Sequence, residues 1–126
     1  MDSITQQADQ AYLLAWESSP SAELEKIISQ DARRSYGYAR DIIKGRFQLG
    51  ENAISQDITR SYYYARNILG DRFQLAENTI SQSAEYSYLY ARDIIKGKLP
   101  EPMHNKMIAY AIANYEWAED YFELIK

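Results

Sequence analysis

The feature that most constrains how this chain can fold is an internal repeat with a period of 26 residues. Residues 31–56 align without a gap with residues 57–82, and about two-thirds of the positions are identical. A third copy covers residues 83–99 and ends where Pro100 and Pro102 interrupt the pattern. We call these copies repeats 1, 2 and 3. Self-similarity at a fixed period predicts a fold built from one recurring unit of secondary structure.

Weaker copies flank the three repeats. In the first 30 residues Tyr12 falls in register with Tyr38, and near the other end Trp117 echoes Tyr38 one residue out of register. We therefore interpret residues 1–30 as an N-terminal cap with a degraded repeat, and residues 100–126 as C-terminal cap helices. The whole chain, residues 1–126, is then a single repeat domain.

Each repeat has the pattern of two short helices. Asp31, Asp57 and Ser83 occupy equivalent positions and are good N-cap residues. The apolar residues from Tyr36 to Ile43 return at helical spacing and cover one continuous face. Helices this short are marginal alone, so each repeat requires its neighbours to bury that face.

Glycines predict where the first helix of each repeat ends. They are Gly45, Gly70 and Gly97, of which Gly70 lies one position earlier than the others. A second helix is predicted from about Phe47 to Ser55, with Leu49 on its apolar face. The sequence therefore predicts an all-α fold, an α-solenoid of helix-pair repeats with irregular capping helices at both ends, about nine helices and no strands.

The composition and motif content limit the classes of function that this chain can have. With 14 basic against 18 acidic residues, the formal charge of −4 argues against a dedicated nucleic-acid-binding role, because such proteins neutralise many phosphates. There is no cysteine, and His104 is the only histidine, so we expect no metal site and no cofactor. The sequence has no glycine-rich phosphate loop and no nucleophile motif. We expect a protein that is not an enzyme.

The sequence offers no membrane or export signal. The first residues lack the charged and then apolar layout of a signal peptide. No apolar run approaches the roughly 18 residues that a membrane span requires. We therefore expect no membrane association and a cytoplasmic location.

Several periodic side chains have a structural interpretation. Tyr38, Tyr64 and Tyr90 adjoin the isoleucine positions and are predicted to separate stacked helices in the core. Glu51 and Glu77 form an acidic column that we expect to pair with nearby arginines or helix N-termini. Nucleic-acid mimicry by this column is disfavoured, because one carboxylate per repeat is too sparse.

A ladder of arginines recurs with the repeat, at Arg40, Arg66 and Arg92. It would serve either as a basic strip for phosphates or partner carboxylates, or as structural cations. In the structural interpretation each arginine lies over the tyrosine four residues earlier or pairs with a carboxylate of the next repeat. We favour the structural role, because these arginines accompany the core residues in every repeat.

Positions at which the repeats differ are the better candidates for partner binding, since the shared residues are needed for the frame. Tyr63 is an aromatic residue on the polar side of its helix, where the other repeats have Gly37 and Leu89. A further variable set is Lys44, Gly70 and Lys96. The full set of predicted partner-binding candidates is Tyr63, Arg33, Arg34, Arg60, Tyr86 and Leu89.

The repeats resemble short tandem repeats of bacteriophage and other viral proteins, most of them without assigned function. That pattern has Tyr-Ala, an Ile/Val-Leu pair, Gly-Arg followed by an aromatic residue, Ala-Glu and a later Ile. Repeat 1 matches it at Tyr38-Ala39, Ile42-Ile43, Gly45-Arg46-Phe47, Glu51 and Ile54. The resemblance covers residues 25–99 and departs from the pattern at Gly70-Asp71. It implies a phage-encoded factor that acts on a host protein, in the host-cell cytoplasm.

We therefore expect a non-enzymatic protein–protein interaction protein, one that inhibits or redirects a host protein, such as a defence component. Two alternatives stay open. One is nucleic-acid binding along the periodic Arg/Tyr face. The other is self-assembly into a homo-oligomer through the terminal helices, where Trp117, Tyr121 and Phe122 lie.

Overall fold

The computed structural model describes residues 3–19 and 21–126, and this part of the chain is all-helical with no strand, as predicted. Met1, Asp2 and Pro20, which belong to the predicted N-terminal cap, lie outside the described residues. The α-helices of the described part are α1 (Ile4–Glu17), α2 (Ala22–Ile28), α3 (Ala32–Gly37), α4 (Glu51–Ile54), α5 (Ile58–Tyr64), α6 (Glu77–Ile80), α7 (Ala84–Tyr90), α8 (Glu101–Ile112) and α9 (Glu116–Leu124).

The helices lie in two rows. In one row α1, α3, α5, α7 and α9 each contact the next, and in the other α2, α4, α6 and α8 follow one another. The core lies between the rows and repeats with the sequence. Its fully buried side chains include Tyr38, Tyr64, Tyr90, Ile28, Ile54 and Ile80.

Side-chain caps start the first helix of each repeat, as predicted. Asp31, Asp57 and Ser83 each accept a hydrogen bond from the backbone N–H three residues further on, at 2.8, 2.9 and 3.1 Å. Each cap satisfies one of the N–H groups that the first turn of a helix leaves unpaired. The caps therefore set where each repeat begins.

The first helix of each repeat continues beyond its α-helical part as a π-helical turn. This turn covers Tyr38–Ile43 after α3, Ala65–Leu69 after α5 and Ala91–Ile95 after α7. In it the backbone N–H groups bond to the carbonyl five residues earlier, as Gly70 does to Ala65 at 2.8 Å.

Each π-helical turn ends at a residue in the left-handed backbone conformation. These residues are Lys44, Gly70 and Lys96, with φ of 58°, 62° and 61°. The prediction that Gly45 and Gly97 end their helices is therefore wrong by one position, and the displaced Gly70 marks the true position. Only glycine adopts this conformation without a Cβ penalty, so repeats 1 and 3 carry a local strain that repeat 2 avoids.

The second segment of repeats 1 and 2 starts as a 3₁₀ turn that leads into α4 and α6, respectively. Leu49, predicted on the buried face, is 56% exposed, and the equivalent Leu75 is 58% exposed. The prediction is wrong because it assumed α-helical periodicity in a stretch with about three residues per turn. The inward positions there belong to Gly50 and Ala76, which are buried.

A buried tyrosine hydroxyl joins neighbouring repeats at the same place each time. The hydroxyl of Tyr64 accepts a hydrogen bond from the backbone N–H of Phe47 at 3.0 Å and donates one to Glu51 at 2.6 Å. Tyr90 makes the two equivalent bonds one repeat later, at 2.9 and 2.7 Å. We call each of these sets a tyrosine bridge. It ties the first helix of one repeat to the second segment of the preceding repeat.

The C-terminal end uses the same bridge with one partner exchanged. The hydroxyl of Tyr121 accepts from the backbone N–H of Leu99 at 3.0 Å and lies 2.7 Å from Nδ1 of His104, which replaces the glutamate. The alignment of Trp117 with the repeat tyrosine is therefore wrong. Trp117 is 38% exposed, whereas Tyr121 is fully buried. The long α8 lies between repeat 3 and Tyr121, so the 26-residue spacing does not extend to this tyrosine.

The N-terminal end also departs from the alignment. Tyr12 was expected to correspond to Tyr38, but its hydroxyl donates to Asp41 at 3.1 Å. The hydroxyl of Tyr62 donates to Asp93 in the same way. Tyr12 therefore corresponds to Tyr62 and not to the bridging tyrosines. Because α1 is one continuous α-helix of 14 residues without a π-helical turn, sequence register does not transfer to it.

The left-handed positions generate the first prediction. Lys96→Gly should raise the free energy of unfolding by up to about 1 kcal/mol, and Gly70→Ala should lower it by about 1 kcal/mol, because only glycine is unstrained there. Gly97→Ala is the control, since its backbone is not left-handed and no atom lies within 4 Å of the added Cβ. Urea denaturation measures all three. Equal effects of Ala at positions 70 and 97 would contradict this assignment.

The bridges generate the second prediction. Tyr64→Phe should lower the free energy of unfolding by about 1–3 kcal/mol, because it leaves the buried N–H of Phe47 without an acceptor. Tyr63→Phe is the matched control, since the Tyr63 hydroxyl has no hydrogen bond within the described residues. Thermal or urea unfolding of the two variants is the measurement, and similar losses of stability in both would refute the bridge.

Candidate functional site

A groove of about 610 Å³ lies between α3 and α5, with Tyr12 of α1 at its edge. We call it the α3–α5 groove. Its lining combines four arginines, three tyrosines and three smaller polar or glycine residues. They are Arg33, Arg34, Arg40 and Arg60, then Tyr12, Tyr36 and Tyr63, and finally Gly37, Thr59 and Asn67.

Most of the predicted partner-binding candidates meet in this groove. Arg33 and Arg34 come from α3, and Arg60 and Tyr63 come from α5. They come together because equivalent positions on two adjacent first helices face the same way, and residues three or four apart share a helix face. These four candidates of repeats 1 and 2 thus line one groove, whereas the variable Lys44 and Gly70 lie outside it.

The two candidates from repeat 3 lie elsewhere. Tyr86 is half-buried, and its ring packs against that of Tyr62 with centroids 5.6 Å apart. Leu89 is half-buried against the core. Neither lines the α3–α5 groove.

Gly37 opens the groove. A Cβ at this position would meet the ring of Tyr12 at 3.4 Å, which is ordinary contact, and the φ of −59° is helical. The backbone therefore does not require glycine here. The equivalent positions carry Tyr63 and Leu89, so a side chain of that size at position 37 would occupy the space. The sequence shows that this position varies among glycine, tyrosine and leucine. It does not show that Tyr12 lies opposite Gly37, and the opening of the groove depends on that contact.

An aspartate that the sequence analysis missed fixes two of the arginines. Asp9 accepts from Nε of Arg34 at 2.6 Å and from Nη2 of Arg33 at 2.8 Å. The guanidinium of Arg34 also lies over the ring of Tyr12, 4.5 Å from its centroid. The hydrogen bond from Arg34 lowers the pKa of Asp9. No sequence signal marked Asp9, because it lies in α1, outside the regular repeats.

The three arginines of the ladder differ in the side chains that they contact. Arg40 donates two hydrogen bonds to the adjacent Asp41, at 2.8 and 2.7 Å, and lies 5.2 Å from the ring centroid of Tyr36. Arg92 pairs in the same way with its own neighbour Asp93, at 2.7 and 2.9 Å. Arg92 also lies 5.8 Å from the ring centroid of Tyr88, so the predicted position over the tyrosine four residues earlier is confirmed for both arginines. The alternative pairing with a carboxylate of the next repeat is not found among the described residues, since the carboxylate that each contacts is the following residue.

Arg66 is the exception in the ladder. The residue after it is Asn67, so it lacks the adjacent carboxylate, and it has no ion pair within residues 3–19 and 21–126. The side-chain amide of Asn67 instead donates to the hydroxyl of Tyr36 at 2.9 Å. The ladder therefore does not form a uniform basic strip.

The acidic column is engaged inside the protein. Arg46 donates to both carboxylate oxygens of Glu51, at 2.7 and 3.1 Å, and Arg72 does so to Glu77, at 2.8 and 2.8 Å. Burial opposes the charged form of Glu51, but the hydrogen bonds from Arg46 and Tyr64 outweigh it and lower its pKa. These carboxylates hold the bridges in place.

His104 lies in the C-terminal tyrosine bridge, far from the groove in sequence and in a different pair of helices. Within the described residues no three His, Cys, Asp or Glu side chains gather so as to hold a metal ion. A neutral His104 ring with its proton on Nε2 leaves Nδ1 able to accept from the Tyr121 hydroxyl while that hydroxyl accepts the N–H of Leu99. Burial and the charge of Lys98 lower the pKa of His104, against an opposing effect of Glu101.

This geometry generates a prediction of pH dependence. With a pKa below its ordinary 6.5 in the folded protein, His104 contributes stability that is present above pH 6.5 and is lost as the pH falls through the folded-state pKa. Urea unfolding at pH 7.5 and 5.5 should show a larger loss for the natural chain than for His104→Asn, which does not titrate. An equal loss in both would contradict the role of His104.

The sequence matches no known family model and no curated protein, and no solved structure matches its fold. None of the described helices is long and apolar enough to cross a membrane. The chemistry of the α3–α5 groove must therefore be inferred from its own residues.

Proposed function

We propose that this chain is a non-enzymatic interaction protein, an α-solenoid of 26-residue helix pairs that binds a protein partner through the α3–α5 groove. One observation carries the proposal: four of the six predicted partner-binding candidates, two from α3 and two from α5, line a single groove. The shared residues are engaged in caps and bridges, so the variable ones are free to determine specificity.

The residue types in the groove favour a protein as the ligand. Arginine and tyrosine are the residues that contribute most often to binding energy at protein–protein interfaces. Tyr63 is half-buried, with its ring 5.1 Å from that of Tyr62, and it lines the groove next to Arg60. Its hydroxyl has no hydrogen bond within the described residues. These features suit a partner side chain that combines apolar and polar contact.

The resemblance to phage and viral repeats supports a partner in the host cell. On this view the chain is a phage-encoded factor that acts in the host-cell cytoplasm, and binding at the groove inhibits or redirects a host protein such as a defence component.

Self-association is a second candidate, supported by apolar side chains left exposed at both ends. On α1, Leu13 and Trp16 are 58% and 56% exposed. On α8 and α9, Ile112 and Leu124 are 79% and 40% exposed. A head-to-tail contact between such ends generates open assemblies. Sedimentation analysis across a range of protein concentrations tests this candidate, and a monomer throughout would eliminate it.

The main proposal is tested by capture of partners from a bacterial lysate with paired variants. Tyr63→Ala should lose a partner that the natural protein retains, because the groove loses its aromatic face. Leu89→Ala is the matched control, since it occupies the equivalent position outside the groove. The proposal fails if both variants capture the same partners as the natural protein, or if no partner depends on the groove.

A further inference from the structure

We infer that the α3–α5 groove recognises a short acidic segment of its protein partner, with carboxylates of that segment held by Arg33 and Arg60. This inference rests on the proposed function, because it specifies the chemistry of the ligand for the same groove. The partner segment is identified by its negative charge and its short length, and both follow from the residues that line the groove.

The first support is charge. The lining contains four arginines and no carboxylate, although the chain as a whole has a formal charge of −4. The aspartates that pair with these arginines, Asp9, Asp41 and Asp57, lie outside the lining. Three carboxylates therefore pair with the four arginines, and the groove keeps an excess of one positive charge on an acidic protein. Complementary charge is what selects a partner and speeds its association.

The second support is unused hydrogen-bonding capacity. Arg60 is paired only loosely with Asp57, at 3.9 Å, and its side chain donates no hydrogen bond within the described residues. Arg33 uses only Nη2, at 2.8 Å from Asp9. A guanidinium has five N–H donors, so both arginines keep enough to bind a carboxylate through two parallel bonds.

The third support is pre-organisation. Arg34 and Arg40 are each held by an aspartate and by an aromatic ring, Tyr12 and Tyr36 respectively. Side chains that are ordered before binding lose less conformational entropy on binding. These two arginines therefore supply a fixed wall in which each charge is paired with an aspartate, while Arg33 and Arg60 supply the free donors.

The length of the ligand follows from repeat 3. At the position of Arg33 and Thr59 this repeat has Glu85, and at the position of Arg34 and Arg60 it has Tyr86. The basic surface therefore stops after two repeats and meets a carboxylate. An extended polynucleotide needs a continuous track of cations along its phosphates. A short acidic peptide segment fits within two repeats, and a volume of about 610 Å³ is in the range of compact ligand sites.

A second groove with arginines lacks these properties. It is lined by Arg46 and Arg72, which each donate two hydrogen bonds to a glutamate whose side chain is only 10% or 12% exposed. Those donors are committed to the tyrosine bridges. The lining of this second groove also includes the carboxylates of Glu51 and Asp71, which the α3–α5 groove lacks, so arginine content alone does not define the acidic-segment site.

Fluorescence anisotropy tests the inference with a labelled hexaglutamate peptide at about 50 mM salt, where electrostatic binding is strong. Hexalysine and an oligothymidylate with six phosphates are the comparison probes. The natural protein should bind hexaglutamate, and Arg33→Glu and Arg60→Glu should each weaken binding at least about tenfold. Lys126→Glu makes the same charge change at an exposed site away from the groove and should alter binding less than about twofold. Arg60→Gln, expected to weaken binding in the same direction, replaces Arg60→Glu if the latter does not fold.

Three results would overturn the inference: hexaglutamate binding no tighter than hexalysine, tighter binding of the oligothymidylate, or equal losses in Lys126→Glu and Arg60→Glu. A competition experiment, in which hexaglutamate is added to a captured partner, distinguishes failure of this inference from failure of the proposed function. If a captured partner depends on Tyr63 but hexaglutamate does not displace it, the acidic segment is wrong and the groove function stands. If no captured protein depends on the groove, the proposed function fails, and the inference fails with it.

Discussion

The structure depends on a buried tyrosine hydroxyl that satisfies two groups of the preceding repeat at once. In repeat 2 the hydroxyl of Tyr64 accepts a hydrogen bond from the backbone N–H of Phe47 and donates one to the carboxylate of Glu51. A buried N–H or carboxylate without a partner costs far more than a single bond gains, so this arrangement tolerates little displacement. It fixes the spacing of neighbouring helices more narrowly than apolar contact alone. Arg46 then holds the carboxylate from the solvent side.

This constraint divides the residues of each repeat into two groups. The caps, the bridging tyrosine and its glutamate, and the buried serines are all engaged within the protein. Ser35, Ser61 and Ser87, for example, each donate to the carbonyl seven residues earlier, at 2.9, 2.8 and 3.2 Å. The remaining outward positions of the first helices take no part in these caps, bridges or serine hydrogen bonds. Between α3 and α5, where Gly37 leaves space, they form the basic groove.

The sequence predicts the features that depend on local chemistry. The N-caps at Asp31, Asp57 and Ser83 and the helical character of the repeats follow from residue type and spacing alone. Features that depend on an irregular backbone do not follow. The π-helical turns move the helix end to Lys44 and Lys96, and no residue preference announces a lysine in the left-handed conformation.

The groove was predictable only in part. Arg33, Arg34, Arg60 and Tyr63 were identified because the repeats differ at those positions, and adjacent first helices bring them together. Asp9, which orders two of these arginines, comes from a helix that does not follow the repeat period. Which arginines are free and which are committed depends on such contacts between distant parts of the chain.

Hydrogen exchange of individual backbone amides, measured by NMR, tests the tyrosine bridge most directly. The amides of Phe47 and Phe73 lie at the start of 3₁₀ turns, outside regular helix hydrogen bonding, and each donates to a tyrosine hydroxyl in the next repeat. The bridge predicts that both exchange only through openings whose free energy approaches that of global unfolding. Exchange of these two amides at the rate of an unprotected loop would contradict it.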